Sequence, residues 1–464
     1  MTDRIPVSPW VVLVAILLGT FVGTLGNSTV NVALPSMMAE FDVPVTSAVW
    51  VVTLYTLVFA VLMPVAGYLA DLYGHRRLYL LGMGLYTAGL LASGLAPSFA
   101  WLLGSRVLMG AGVAPTLPVI MALISLIFAP EQRGRAVGLW ALANGAGHTL
   151  GPVMSGFLVE RLGWRAIFLL PVPLCLINLG LVRWLAPSGA AGSKRWFDFG
   201  GAAALTVAAL GLMLALTGSA QWGWGASRSI ALWGATLGAS VVFLVVERSV
   251  PSPFVDLRLF ANPSYAAATG VIALQLFCLF GLLLALPVFL TQAQGWESHT
   301  AGLLILPLPL AMAVVGPMAG RLADARGSRW ACTVGMALVI ISALALLGLR
   351  PASGLPIPWA ALVGVLLIMG AGMGLVQSPT AAAVTYVVPP HRLGVATGIF
   401  HMVRFVSGTL GSTVFSLVLS GNGVGTGLGF QHVVVVALIA AGLALVIARG
   451  LPGRAAVPQR LNGP

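Results

Sequence analysis

The side chains that could carry chemistry inside the long apolar segments of this sequence are two histidines and two arginines. His148 and His401 offer imidazoles, which exchange a proton near neutral pH and are candidate proton carriers. Arg106 and Arg404 place guanidinium groups where they are costly unless they face a wet cavity or bind main-chain carbonyls. Each histidine could instead be a polar residue satisfied between packed helices. His401 and Arg404 have i, i+3 spacing, so they share one helix face.

Carboxylates are missing from the interiors of the apolar segments. All 11 acidic residues lie in predicted loops or at segment ends: Asp3, Glu40, Asp42, Asp71, Glu131, Glu160, Asp198, Glu247, Asp256, Glu297 and Asp324. A carboxylate deep in an apolar segment is the usual proton carrier and the usual counter-charge for a bound cation. Proton exchange would therefore use His148, His401 or a loop-end acid such as Asp71 reached through water.

One charged, glycine-marked loop occurs twice. GYLADLYGHRR covers residues 67–77 and GRLADARGSR covers residues 320–329. Asp71 and Asp324 could each cap a helix N-terminus or pair with an arginine across a helix–helix contact. The available arginines are Arg76, Arg77 and Arg329. Two copies at matching positions indicate a functional loop rather than an ordinary charged one.

A further set of polar residues within the apolar segments favours, as a set, the presence of a cavity. They are Asn27, Asn31, Tyr55, Asn144, Gln275 and Gln377, with Trp140, Phe400 and Phe405 as apolar walls. Asn27 and Asn31 share one helix face, as do Asn144 and His148. A few polar groups in apolar, aromatic surroundings are typical of a site for a hydrophobic ligand. Each one could alternatively make a helix–helix hydrogen bond.

The stretch from Gly147 to Gly156 carries small residues around Pro152. Gly147, Gly151 and Ser155 would let a second helix approach closely. Pro152 lacks an N–H group and would kink the helix. An ordinary packing face is the alternative interpretation.

The elements that position these residues are apolar helices long enough to cross a membrane. The chain has 464 residues, of which 59% are hydrophobic and 7% charged, which excludes a soluble globular domain. About fourteen apolar segments are predicted. Each is long enough to cross the hydrocarbon core of a membrane as a helix that rises roughly 1.5 Å per residue. They cover residues 10–35, 46–70, 77–96, 101–128, 134–158, 165–186, 199–218, 229–247, 264–291, 299–320, 329–349, 357–386, 393–419 and 430–448.

The net charge of +12 follows membrane topology. With the Asp71 and Asp324 loops in the cytoplasm, most of the basic residues fall on the cytoplasmic side, as do both termini. Nucleic acid is therefore not an expected partner. The cysteines Cys175, Cys278 and Cys332 show no disulfide or metal pattern. No G-x-x-x-x-G-K-[ST] motif is present, so neither a cofactor nor direct ATP use is expected.

The sequence repeat defines the expected domains. GAGVAPTLP from Gly110 is echoed by GAGMGLVQSPT from Gly370, in the same order as the two loops. The repeat predicts a six-helix bundle over residues 1–187 and another over residues 259–450. Residues 188–258 are a linker with two additional helices, and residues 451–464 form a cytoplasmic tail.

Several strings resemble the major facilitator superfamily, and in particular its fourteen-helix drug:proton antiporter branch. They are NSTVNVALP at 27–35, WVVTLYTL at 50–57, SRVLMGAGVA at 105–114, GHTLGPVMSG at 147–156, GWRAIFLLPVP at 163–173 and PFVDLRLF at 253–260. The resemblance implies an all-α membrane protein with two six-helix bundles and two inserted central helices. It also implies a monomer in the cytoplasmic membrane that exports small hydrophobic or amphipathic compounds by alternating access, with protons and membrane lipid as partners.

The resemblance also assigns roles to single positions. The repeated loop implies a latch of the outward-facing state that ties the bundles together, and the Gly151–Pro152 region implies a bend typical of exporters. Arg106 matches an arginine linked to proton transfer in the family. Relatives commonly carry an aspartate where this chain has Gly26, which disfavours strongly cationic substrates. The alternative is an exporter or facilitator of neutral or anionic amphiphiles, held by Arg106 or Arg404, and a transporter-like receptor is the alternative of another class.

Overall fold

The computed structural model describes residues 8–187, 198–250, 254–349, 357–389, 392–421 and 427–453. The regular elements in these ranges are helices, without a strand. The α-helices are α1 Pro9–Ser28, α2 Val30–Phe41, α3 Val45–Ala48, α4 Trp50–Tyr73, α5 His75–Gly94, α6 Phe99–Val113, α7 Thr116–Ile127, α8 Pro130–Leu162, α9 Ala166–Leu169, α10 Pro171–Leu185, α11 Phe199–Trp222, α12 Ser227–Ser249, α13 Pro263–Val288, α14 Ser298–Ile305, α15 Pro307–Arg326, α16 Ser328–Gly348, α17 Trp359–Val387, α18 Leu393–Gly421 and α19 Gly427–Ile447.

Twelve segments of the described chain are long and apolar enough to cross a membrane, not the fourteen that were predicted. The predicted segments 77–96 and 134–158 form α5 and α8 but are not among the twelve. Their mean hydropathy is lower because α5 begins with His75, Arg76 and Arg77 and because α8 is rich in glycine and polar residues.

Several of the twelve spans consist of two helices that follow each other without a loop. α6 and α7 meet at Ala114 and Pro115, and α9 and α10 meet at Leu170. α10 and α15 both begin with a proline, Pro171 and Pro307. Proline cannot donate a helical hydrogen bond and clashes with the preceding turn, so these spans are interrupted where it occurs.

The chain forms two compact units. The first comprises residues 1–129, 142–197 and 389–402, and the second comprises residues 130–141, 198–388 and 403–464. Helices α8 and α18 are therefore each divided between the units. The predicted domain boundaries do not divide these helices, because a sequence repeat does not reveal which neighbours the first turns of a helix pack against.

The packing inside each unit follows the sequence repeat. In the first unit, α6 packs on α4 and α5, and α10 packs on α1 and α5. In the second unit, α17 packs on α15 and α16, and α19 packs on α13 and α16. Each of these helix pairs in the first unit therefore corresponds to one pair in the second unit, in the order of the sequence repeat. α11 and α12 lie outside the repeat and pack mainly against each other.

Candidate functional site

In the first unit, the aspartate of the repeated loop binds the main chain at the start of another helix. Asp71 lies near the end of α4 and accepts hydrogen bonds from the N–H groups of Gly394 and Val395 in α18, at 3.0 and 3.1 Å. A carboxylate is favoured near a helix N-terminus by the helix dipole. The Nε2 atom of His75 lies 3.8 Å from Oδ1 of Asp71, and both side chains are mostly buried.

The second copy of the loop repeats this geometry in the second unit. Asp324 lies near the end of α15 and accepts hydrogen bonds from the N–H groups of Gly134 and Arg135 in α8, at 2.9 and 3.0 Å. Its third donor is the hydroxyl of Tyr386, 3.0 Å from Oδ1. The two loops therefore share their main-chain contacts and differ in the side chain that completes each site.

Paired glycines let the main chains approach closely enough for these hydrogen bonds. A Cβ atom on either Gly67 or Gly394 would overlap the carbonyl oxygen of the other residue. A Cβ atom on Gly134 or Gly320 would do the same in the second unit. Each aspartate is thus held one helical turn from a glycine–glycine contact that no larger residue could make without displacing a helix.

The arginines of the loops bind carbonyl groups, which differs from the expectation that they pair with the aspartates. Arg76 donates to the carbonyl of Arg183, in the last turn of α10. Nε of Arg329 donates to the carbonyl of Leu451 at 2.9 Å, just beyond α19. Carbonyl groups at helix C-termini lack helical donors and carry partial negative charge, so they compete successfully for arginine. Arg77 is exposed.

The small residues of α8 pack against α1 and its junction with α2. The hydroxyl of Ser28 donates to the carbonyl of Gly147 at 3.0 Å, and that of Ser155 donates to the carbonyl of Thr29 at 2.7 Å. A Cβ atom on Gly151 would overlap the Ser28 hydroxyl. The predicted close helix approach is present. The Pro152 side chain lies outside the described part.

The predicted cavity residues differ in exposure. Tyr55, Trp140, Gln275, Gln377, His401 and Arg404 are buried, Asn144 is half-buried, Asn31 and His148 are exposed, and the Asn27 side chain lies outside the description. Nε2 of Gln275 donates to the carbonyl of Met373 at 3.5 Å. The guanidinium of Arg404 lies 5.7 Å from the Phe405 ring centre.

Arg106 and Tyr55 are brought together in the first unit. The guanidinium carbon lies 4.4 Å from the centre of the Tyr55 ring, and Nε donates to the carbonyl of Val51 at 2.7 Å. Both residues are buried. Within the described residues, no group of three or more His, Cys, Asp or Glu side chains could hold a metal ion.

A cluster around Glu40 at the end of α2 was not predicted from the sequence. Arg165 binds both carboxylate oxygens, at 2.6 and 2.7 Å, and Nε1 of Trp164 donates to Oε2 at 2.7 Å. Arg165 also donates to the carbonyl of Ala96, at 3.0 Å. The cluster joins the end of α2 to the loops before α6 and α9. The sequence feature that could have indicated this cluster is the GWR string, which places tryptophan and arginine side by side after α8.

The Glu40 cluster is expected to make stability depend on pH. The hydrogen bonds from Arg165 and then from Trp164 lower the pKa of Glu40. A carboxyl whose pKa is lower in the folded state stabilises that state above its unfolded pKa, about 4.3, and this contribution is lost as the pH falls through the folded value. The pair is partly exposed, so it contributes at most about 1 kcal/mol. Thermal unfolding of the Glu40→Gln variant should show a weaker fall between pH 6 and 3 than the wild type; equal falls would contradict this assignment.

Comparison with known proteins gives consistent matches. The Major Facilitator Superfamily sequence model matches residues 16–412. Multidrug resistance protein Stp of Mycobacterium tuberculosis is 36% identical over 411 residues, covering 88% of this chain and 75% of Stp. The tetracenomycin C resistance and export protein of Streptomyces glaucescens is 29% identical over 416 residues, covering 89% and 76%. The crystal structure of the human organic anion transporter MFSD10 covers 97% of this chain and 100% of its own, with a TM-score of 0.69 and 16% identity.

Proposed function

Because this chain belongs to the Major Facilitator Superfamily, we propose that it exports small hydrophobic or amphipathic compounds, including drugs, by alternating access. The chain is a multi-pass membrane transporter and not an enzyme. The observation that carries the export proposal is the 36% identity to a multidrug resistance protein over 88% of the chain. The similarity to a tetracenomycin C resistance and export protein supports the same direction of transport.

The transporter has fourteen spans in this proposal, the twelve apolar ones together with α5 and α8. α5 has 20 residues and α8 has 33, and about 20 helical residues are needed to cross the hydrocarbon core. An even number of spans places both termini on one side. The excess of basic residues near the Asp71 and Asp324 loops supports a cytoplasmic location for that side. In this proposal the protein acts as a monomer in the cytoplasmic membrane.

The repeated loops act as reversible gates. Asp71 and Asp324 hold the starts of α18 and α8 in one state of the cycle and release them in the other. These movements are supported by Arg76 and Arg329, which bind helix ends, and by the exposed Arg77. The Gly151–Pro152 stretch of α8 supports them as well. The matched main-chain hydrogen bonds in the two units support this role.

Substrate binding and proton coupling use the residues predicted from the sequence. The binding residues are Asn27, Asn31, Tyr55, Trp140, Asn144, Gln275, Gln377 and Arg404. Export is driven by proton antiport through His148 and His401, assisted by Arg106. The lack of an acidic residue inside the apolar segments supports histidine as the proton carrier.

Flux measurements on purified protein in liposomes test this proposal. Nile red, a neutral hydrophobic dye, should be transported faster with an imposed pH gradient than without one. His148→Ala or His401→Ala should reduce that stimulation about tenfold, since general acid–base groups contribute at least this much to proton transfer. Stimulation equal to that of the wild type in both variants would exclude histidine coupling. Flux no higher than in protein-free liposomes would contradict export of this class of compound.

The second candidate is export or facilitated movement of neutral or anionic amphiphiles such as fatty-acid-like molecules, without carboxylate-based proton coupling. It is favoured because the acids lie only at the ends of the apolar segments whereas Arg106 and Arg404 are buried. Flux that depends on the protein but is unchanged by the pH gradient, measured in the same liposomes, would favour this candidate.

A further inference from the structure

The guanidinium of Arg106 is fully buried, and the protein satisfies only part of its hydrogen-bonding capacity. Nε donates to the carbonyl of Val51 at 2.7 Å, and Nη1 lies 3.6 Å from the sulfur of Met109. Nη2 has no hydrogen-bond partner among the described residues. A guanidinium has five N–H donors, and a thioether sulfur is a weak acceptor. Most of the donors of Arg106 therefore lack a strong acceptor.

The described part of the first unit does not supply a carboxylate to this guanidinium. Its ion pairs lie elsewhere, between Asp71 and His75 and between Glu40 and Arg165. The rings of Tyr55 and Phe168, whose centres lie 4.4 and 5.9 Å from the guanidinium carbon, attract a cation but do not neutralise it. An unpaired charge buried in an apolar environment is costly. The described surroundings thus favour an anion.

The phenol of Tyr86 lies against α1 in the same unit as Arg106. A Cβ atom on Gly26 of α1 would overlap the hydroxyl of Tyr86. That hydroxyl donates to the carbonyl of Val22 at 3.3 Å, which fixes the ring in place. Arg106 lies close enough to Tyr86 to interact with it electrostatically. Tyr86 is therefore a neighbour of Arg106 that carries a hydroxyl group rather than a carboxylate.

We propose that Arg106 binds a monovalent anion, which is either the carboxylate of an exported amphiphile or chloride. This inference rests on the proposed transport function and specifies its substrate class. The free Nη2 atom supplies the charged donor. The rings of Tyr55 and Phe168 make the surroundings of this donor apolar and aromatic, as is typical of a site for an amphipathic ligand.

Ligand-dependent thermal unfolding of the purified full-length protein tests the site. The probes are 2-naphthoate and its neutral isostere 2-naphthamide, each in sodium sulfate and in sodium chloride of equal ionic strength. A ligand that binds the folded state raises the unfolding temperature with its concentration. We expect 2-naphthoate to raise it in sulfate and 2-naphthamide to leave it unchanged. In Arg106→Gln, the apparent Kd for naphthoate should rise about tenfold or more, as for loss of a charged hydrogen bond.

A matched control is Arg161→Gln, which removes an exposed arginine lying over the ring of Phe157 and should keep the wild-type response. Arg106→Lys keeps the charge and should retain part of the naphthoate response if Arg106→Gln does not fold. If both variants unfold, the comparison of naphthoate with naphthamide in the wild type still decides whether the protein binds the anion.

The two sources of the anion give different results. A substrate carboxylate predicts protein-dependent naphthoate flux in liposomes that Arg106→Gln abolishes. Resident chloride predicts that chloride itself stabilises the protein and weakens the naphthoate response, without naphthoate flux. Equal responses to naphthoate and naphthamide together with no chloride effect would overturn the proposal. If Nile red is still transported in that case, the export function stands and only the anion site fails; absence of Nile red flux contradicts the export function independently.

Discussion

Replacement of Gly394 by alanine is expected to abolish most transport while leaving a folded protein. The added Cβ atom would overlap the carbonyl oxygen of Gly67 and lie 2.6 Å from Oδ1 of Asp71. The start of α18 must then move away from α4, which breaks both hydrogen bonds from α18 to Asp71. Overpacking of this kind costs about 1–3 kcal/mol, so we expect the state in which this contact is closed to lose about a factor of ten or more in population. Nile red flux in liposomes measures the loss.

The second unit provides an independent repetition, and α5 provides a control. Gly134→Ala places a Cβ atom against the carbonyl of Gly320 and the carboxylate of Asp324, so it should reduce transport to a similar extent. A Cβ atom on Gly84 would meet nothing within 4 Å, and Gly84→Ala should keep full transport. Replacing a helical glycine by alanine there should even stabilise the helix by about 1 kcal/mol. Wild-type flux in Gly394→Ala and Gly134→Ala would show that these contacts are not part of the gate.

The helices and their repeat could be predicted because both depend on features within short stretches of the sequence. Apolar segments of sufficient length predict helices from composition alone, and the duplicated Gly-x-Leu-Ala-Asp string fixes the correspondence of α4 with α15. The glycines are part of the same signal, since Gly134 and Gly394 occur at equivalent places in the repeat. The count of spans was less secure because hydropathy falls in α5 and α8, where basic residues and glycines replace large apolar ones.

The partners of individual side chains could not be predicted because they come from distant parts of the chain. Asp71 meets Gly394 and Val395, and nothing in the loop itself distinguishes a main-chain partner from the nearby arginines. His75 was overlooked although it stands where the second copy has Ser328, which is a visible departure from the repeat. Tyr386 gave no local signal, since a tyrosine at the end of an apolar segment is ordinary.

Exchange of either loop aspartate for asparagine is expected to reduce transport about tenfold, although the side chain keeps its shape. Asp71 and Asp324 each accept one main-chain N–H on each carboxylate oxygen. Asparagine offers one acceptor oxygen, and its NH2 group would face the second N–H, so two donors would meet without an acceptor. An unsatisfied buried donor costs about 1–3 kcal/mol, and the interaction with the helix dipole is lost as well. Flux and thermal unfolding should both decline in Asp71→Asn and Asp324→Asn.

Tyr386 separates the contribution of the carboxylate from that of its third donor. Tyr386→Phe removes one of the three hydrogen bonds to Asp324, so it should cost about 1 kcal/mol, less than Asp324→Asn. In the double variant the losses should be less than additive, because both changes act on one contact. Glu160→Gln makes the same charge change at an exposed position of α8 and should leave flux unchanged. Strict additivity, or wild-type flux in a folded Asp324→Asn protein, would mean that the carboxylate does not hold the start of α8 during transport.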